Sequence, residues 1–170
     1  MNEAYKNMRD FWLDVENFED VKNLTPIGEA GIYAAGAEFC MPDHNNMLKN
    51  IIIAANALGD ASMYFENNSP SGLGGFLGQG HPKIKAASLD VLREAADMTY
   101  AMQPSKSLPF SEHCKVTLFA VSKESIFHAQ FEEEQLRNPQ NIFYNFFAKT
   151  QLLISAFRAQ EAATLKNRQS

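Results

Sequence analysis

The chain reads as an α+β domain: a small antiparallel sheet that includes a 115–133 hairpin, packed by about four helices, one of them long and C-terminal. Three observations carry this expectation. Apolar residues recur at steps of three and four near the N-terminus, over 83–101 and again over 139–165, as they do on the buried face of a helix. Between the last two, KVTLFAVS and IFHAQFEEE flank a three-residue KES, and Phe127, Ala129 and Phe131 alternate with His128, Gln130 and Glu132, as in a strand with one wet face. Five of the nine glycines and two prolines fall in residues 67–82, which separates the two halves of the pattern.

Taken in order, residues 3–18 place Ala4, Met8, Phe11, Trp12, Val15 and Phe18 on one helical face. Residues 26–40 are ambiguous. Thr25-Pro26 suits a helix start, but Gly28, Gly31 and Gly36 weaken it, and Tyr33, Ala35, Ala37 and Phe39 fit the period of a strand, which we prefer. Asp43 suits an N-cap for a helix over 44–58, in which Met47, Leu48, Ile51, Ile52, Ala55 and Leu58 form a stripe that Gly59 ends. Residues 67–82 (NNSPSGLGGFLGQGHP) read as a long loop. Ile84, Ser88, Val91, Ala95, Met98 and Met102 then mark a helix over 83–101. After the 115–133 hairpin, Asn138-Pro139 opens the last helix, 139–165, which spans about 40 Å at 1.5 Å per residue, so that the polar 166–170 end projects or frays. With 170 residues, no repeat and no composition break, residues 1–170 are expected to be one domain.

Composition narrows the function classes. Fifteen basic and twenty acidic residues leave a net charge of -5, without the broad positive field that a phosphate backbone requires, so nucleic acid is not an expected partner. Two cysteines do not make a disulfide framework. The N-terminal MNEAYKNMRDFWLDV lacks the apolar block of a secretory signal, and the longest aliphatic run, Ile51 to Ala55, is far short of a membrane span. A cytoplasmic protein without membrane partners is the expectation.

Motifs for chemistry are sparse. Gly72, Gly74, Gly75, Gly78 and Gly80 could offer backbone N–H groups to a phosphate, but Gly80 is followed by His-Pro, not by the Lys-Ser/Thr of a phosphate loop. Neither a GxSxG nor an HExxH sequence occurs. Cys40 and His44 are separated by Pro42 and Asp43, and His113 and Cys114 point to opposite sides if they begin a strand. No catalytic residue, cofactor-binding residue or metal ligand is assigned. Glu132, Glu133 and Glu134 read as a solvated strand end.

Two surfaces stand out instead. Residues 1–20 hold six acids and two bases, with Asp10 and Asp14, and Glu16 and Asp20, as like-charge pairs four apart. Residues 149–170 hold four bases and one acid, so either this last helix or a basic partner would offset them. The second surface is Leu73, Phe76 and Leu77, apolar residues inside the glycine-rich stretch. We therefore expect a non-enzymatic cytoplasmic protein-interaction domain binding another protein through Asp10, Asp14, Glu16, Asp20, Leu73, Phe76 and Leu77, without a cofactor. Within that class an immunity or adaptor protein that occludes a basic partner is one reading, and a homodimer is another association open to it. Two alternatives from other classes are a small-molecule-binding or sensory domain, lined by Phe76, Tyr33, Phe143 and Phe147, and an enzyme pairing Cys40 or Cys114 with His81 or His113.

Overall fold

The computed structural model describes residues 2–18, 23–66, 73–78 and 80–169. Among these residues seven strands, β1 (Ala34–Pro42), β2 (Leu48–Asn56), β3 (Ala61–Glu66), β4 (Leu73–Leu77), β5 (Gln103–Ser105), β6 (Lys115–Val121) and β7 (Ile126–Glu132), build one antiparallel sheet in the order β4-β3-β2-β1-β6-β7-β5. Among the described residues four α-helices accompany it: α1 (Glu3–Leu13), α2 (Pro82–Met98), α3 (Glu133–Leu136) and α4 (Tyr144–Gln169). The α+β class and the hairpin, now β6 and β7 paired from Val121↔Ile126 to Lys115↔Glu132, are as expected. The sheet is larger than expected.

Strand alternation divides the core in two. Ala35, Ala37, Phe39, Ile53, Ala55, Val116, Leu118 and Ala120 pack against Ile84, Val91, Leu92 and Ala95 of α2 and Phe146, Phe147, Leu153 and Phe157 of α4. The intervening Ala34, Ile52, Ala54, Tyr64, Phe119 and Val121 pack on the other face against Tyr5, Trp12, Val15 and Phe18. Because both faces are covered, the central strands are apolar almost without interruption. That is why the expected helix over 44–58 is instead β2. Asp43 does cap a backbone there, but its Oδ1 accepts from the N–H groups of Asn45 and Met47 in the β1–β2 turn. Gly59, at φ 87°, lies in the turn that follows β2 and leads to β3.

Local chemistry also sets the helix ends. Asn2 Oδ1 accepts from Tyr5 N at 2.8 Å and starts α1. The expected 3–18 helix breaks at Asp14, which is extended and whose side chain accepts from Glu16 N to start a 3₁₀ turn, Val15–Asn17. The preferred strand reading of 26–40 holds from Ala34 onward, after a tight loop closed by paired bonds between Ile27 and Ile32. Pro82 occupies the first turn of α2. The last helix starts five residues later than expected because turns bonded by Asn138 and Asn141 side chains precede it.

The course of α4 follows from three contacts. Phe143 meets Phe131 of β7 at 5.0 Å between ring centroids, Phe147 meets Phe39 of β1 at 6.4 Å, and Phe157 reaches Gly78 just after β4. The helix thus crosses the sheet from β7 to β4 and continues as exposed residues over 161–167.

Candidate functional site

Of the seven expected binding residues, the six within the described residues fall at opposite ends of the sheet. At its start, α1 is tied to the β3 side by a bond from Asn2 N to Glu66 Oε1. At its other end it reaches the β6–β7 turn, where Asp14 and Glu16 share a 220 Å³ cleft with Lys106, Lys123 and Ile126. Asp10, Asp14 and Glu16 are exposed, and Asp20 lies outside the described residues. The C-terminal helix does not offset these acids, since α1 and α4 pack on opposite faces. Lys106 and Lys123 are the bases that share their cleft.

Leu73, Phe76 and Leu77 belong to β4, paired with Glu66, Met63 and Ser62 of β3. The glycine-rich stretch, expected to exclude regular structure, therefore contributes a strand. Its glycines permit close approach: a β-carbon on Gly75 would stand 2.6 Å from Tyr64 Cδ1. Five strand steps separate β4 from β7, about 24 Å at the usual spacing. The acids and the apolar trio are thus two surfaces.

The two edges of the sheet differ in kind. At one end β5 is three residues long and carries Pro104, a residue that blunts pairing. At the other, β4 reads LGGFL, with neither charge nor proline. Among the described residues no strand pairs with its outer side. The β6–β7 hairpin is internal, held by β1 on one side and β5 on the other.

Next to the β4 end, α4 leaves part of the sheet uncovered. Phe39, Ile51, Met63 and Phe65 floor a groove of about 520 Å³, rimmed by Glu133, Arg137, Gln151, Arg158 and Glu161. Arg137 is paired with Glu133 and stands over the Phe147 ring, whereas Arg158 has no carboxylate partner among the described residues. Tyr33 and the Phe143–Phe147 pair, expected to line one ligand pocket with Phe76, lie on opposite faces of the sheet. Tyr33 belongs to the α1 face and lines a separate 320 Å³ cleft with Pro26 and Lys123, while Phe143 and Phe147 are buried under α4.

The thiols and imidazoles are arranged differently from the expectation. Cys114 precedes β6 in a left-handed conformation (φ 58°), which brings its Sγ to 3.6 Å from His113 Nε2 instead of across the strand. Burial, followed by the charges of Glu38 and Cys114, pushes the Cys40 thiol up. Among the described residues no group of three or more His, Cys, Asp or Glu is placed to hold a metal. Glu132 is the N-cap of α3 in a reciprocal capping box with Gln135, and Glu133 pairs with Arg137, so two of the three glutamates expected at a solvated strand end have local partners.

Sequence reasoning missed a buried polar network on the α1 face. Glu38, fully buried, accepts from Arg9 Nε at 2.7 Å, Arg9 Nη2 at 3.1 Å, Tyr5 Oη at 3.1 Å and Ser111 N at 3.3 Å. Arg9 Nη2 also donates to the carbonyls of Leu108 and Pro109, and its guanidinium stacks 4.4 Å from the Phe110 centroid. Ser111 continues the chain to Thr117 and Gln130. Burial, with Glu38 alongside, drives the Tyr5 phenol far above its usual range, so it stays a neutral donor. A carboxylate this fully bonded is a fixed anchor for α1 and the 106–114 segment. The signal was present: Arg9 lies four after Tyr5 and three before Trp12, on the helix face that is buried.

No protein-family model, curated protein or solved structure matches the chain. Among the described residues no helix is long and apolar enough to cross a membrane.

Proposed function

We propose that this chain is a non-enzymatic protein-binding domain that takes an extended segment of a partner onto the outer edge of β4. The observation that carries the reading is the asymmetry of the edges: β5 is short and closed by Pro104, whereas β4 offers LGGFL with no blocking device. Strand addition uses such an edge, with backbone bonds giving affinity and alternate side chains giving selectivity. Leu73, Phe76 and Leu77 are the apolar residues of that strand's sequence. Asp10, Asp14 and Glu16 form a second, steering surface for a basic region of the same partner, and an immunity or adaptor role that occludes that partner is the form we favour.

The test is capture from a lysate of the source cells by wild type, by an edge variant (Leu73→Lys with Leu77→Lys) and by a charge variant (Asp10→Asn, Asp14→Asn, Glu16→Gln). The expected result is one protein held by wild type, lost by the folded edge variant, and bound more slowly and with weaker salt dependence by the charge variant. Equal retention by the edge variant overturns strand addition. A second reading rests on the groove floored by Phe39, Ile51, Met63 and Phe65, whose volume suits a small amphipathic anion bound at Arg158. A rise in melting temperature with such a compound, abolished by Arg158→Gln, would favour it.

A further inference from the structure

Outside both surfaces, Cys40, His113 and Cys114 come together at the start of β6. Among the described residues Cys114 is one of two non-glycine residues with positive φ; the other, Asn46, is of a type that tolerates this conformation, and cysteine is not. The strained turn is held at both ends, by Lys115 N to Glu112 O at 3.0 Å and by Cys114 N to Cys40 O at 2.9 Å. That bond makes the two cysteines backbone neighbours across the β1–β6 boundary, the kind of approach between adjacent segments that a disulfide requires. Cys40 is 6% exposed on β1, while Cys114 is partly exposed, so the two residues differ in their access to solvent. The His113 imidazole is in contact with the exposed one.

We propose that Cys114 and Cys40 form an oxidisable dithiol, in which Cys114 attacks a low-molecular-weight disulfide and Cys40 resolves the adduct into an intramolecular disulfide. In the first step the Cys114 proton passes to His113 Nε2, the thiolate bonds to one sulfur of the oxidant, and the oxidant's S–S bond breaks. The leaving thiolate takes the proton from His113. In the second step Cys40 Sγ bonds to Cys114 Sγ, the mixed disulfide breaks, and the second small thiol leaves with the Cys40 proton. Two electrons pass from the protein to the oxidant, one disulfide is consumed, and two small thiols are released. The bond would staple β1 to the segment that carries Ser111.

Glutathione disulfide added to the folded, full-length chain at mild alkaline pH is the test, read by intact mass and peptide mapping. Wild type should lose two hydrogens, with the Cys40 and Cys114 peptides linked, and should melt several degrees higher than the reduced protein. Cys40→Ser should instead keep one glutathione on Cys114, Cys114→Ser should remain unmodified, and His113→Gln should slow the first step several-fold near neutral pH. A stable glutathione adduct on wild type without the link, or no reaction until denaturant is added, overturns the proposal on wild type alone. A His113→Gln rate equal to wild type overturns the role of the imidazole.

Discussion

Replacing Arg9 by Met tests whether the network around Glu38 anchors α1. Arg9 is 3% exposed and Glu38 0%, so the substitution leaves a carboxylate with no access to water and removes two charge-assisted donors from it. Tyr5 Oη and Ser111 still donate, but neither supplies compensating charge. Breaking a buried ion pair from one side costs about 3–5 kcal/mol. For a chain of this size, at about 2–4 °C per kcal/mol, Tm should fall by about 6–20 °C. The side-chain volume is largely kept, so little of the loss comes from a cavity. Urea unfolding can be followed by the fluorescence of Trp12, the single tryptophan, which is 5% exposed between the rings of Phe11 and Phe18. The decisive comparison is Arg9→Met with Glu38→Gln. Removing the stranded charge while keeping an acceptor for Tyr5 and Ser111 should return about 1–3 kcal/mol. An Arg9→Met protein within about 1 kcal/mol of wild type, or a double variant no more stable than the single one, would refute the anchoring role.

Other consequences can be read from the same unfolding measurements. Cys114→Gly removes a β-carbon from a left-handed position and should stabilise the reduced protein by about 1 kcal/mol; a loss of stability would contradict the strained turn. Gly36→Ala would set a β-carbon 1.9 Å from the Ile53 carbonyl oxygen in the middle of the sheet, and should cost about 4 kcal/mol or more, seen as loss of the cooperative urea transition. Glu66 supplies the pH dependence. Burial opposes its ionisation, but bonds from Asn2 N and from the Asn50 amide hold its carboxyl below the ordinary value of 4.5. The folded form therefore binds its proton less readily than the unfolded one, so the stabilisation is present above that value and is lost as pH falls below it. Glu66→Gln should lower Tm at neutral pH and converge with wild type in acid; parallel curves would show that the carboxylate contributes nothing.

α1, α2 and α4 were legible because apolar residues recur along one face of each, and the hairpin because β7 alternates after a short polar turn, although β6 is buried on both faces. β2 was not. Its run from Ile51 to Ala55 is apolar on both faces, and a continuous apolar run is equally consistent with a buried helix. The flanking Asp43 and Gly59 added false support, because an aspartate that collects backbone N–H groups and a glycine with positive φ serve a hairpin turn as readily as a helix end. β4 was hidden for a different reason: its glycines count against a strand in isolation, while the benefit of Gly75 arises only from the Tyr64 ring beside it. Leu73, Phe76 and Leu77 could be singled out from composition, but an edge position depends on strand order. That order is set when the chain crosses by way of α2 and returns β6 to β1. The Glu38 anchor joins residues 9, 38 and 111, a separation that no local pattern records.

The central position of β1 has a consequence for synthesis. Its β2 partner follows at once through the short turn after Asp43, but its β6 partner, Lys115–Val121, emerges about 80 residues later, several seconds at ordinary elongation rates. During that interval the nascent chain can form β1 to β4 while the other side of β1 stands bare, and Ala34, Ala35, Gly36 and Ala37 offer nothing to deter another strand. Glu38 is the single charge in that strand, and Arg9 has already been made when it appears. The carboxylate that later anchors α1 is thus also the one charge that any strand laid beside β1 must accommodate while β6 is still to come.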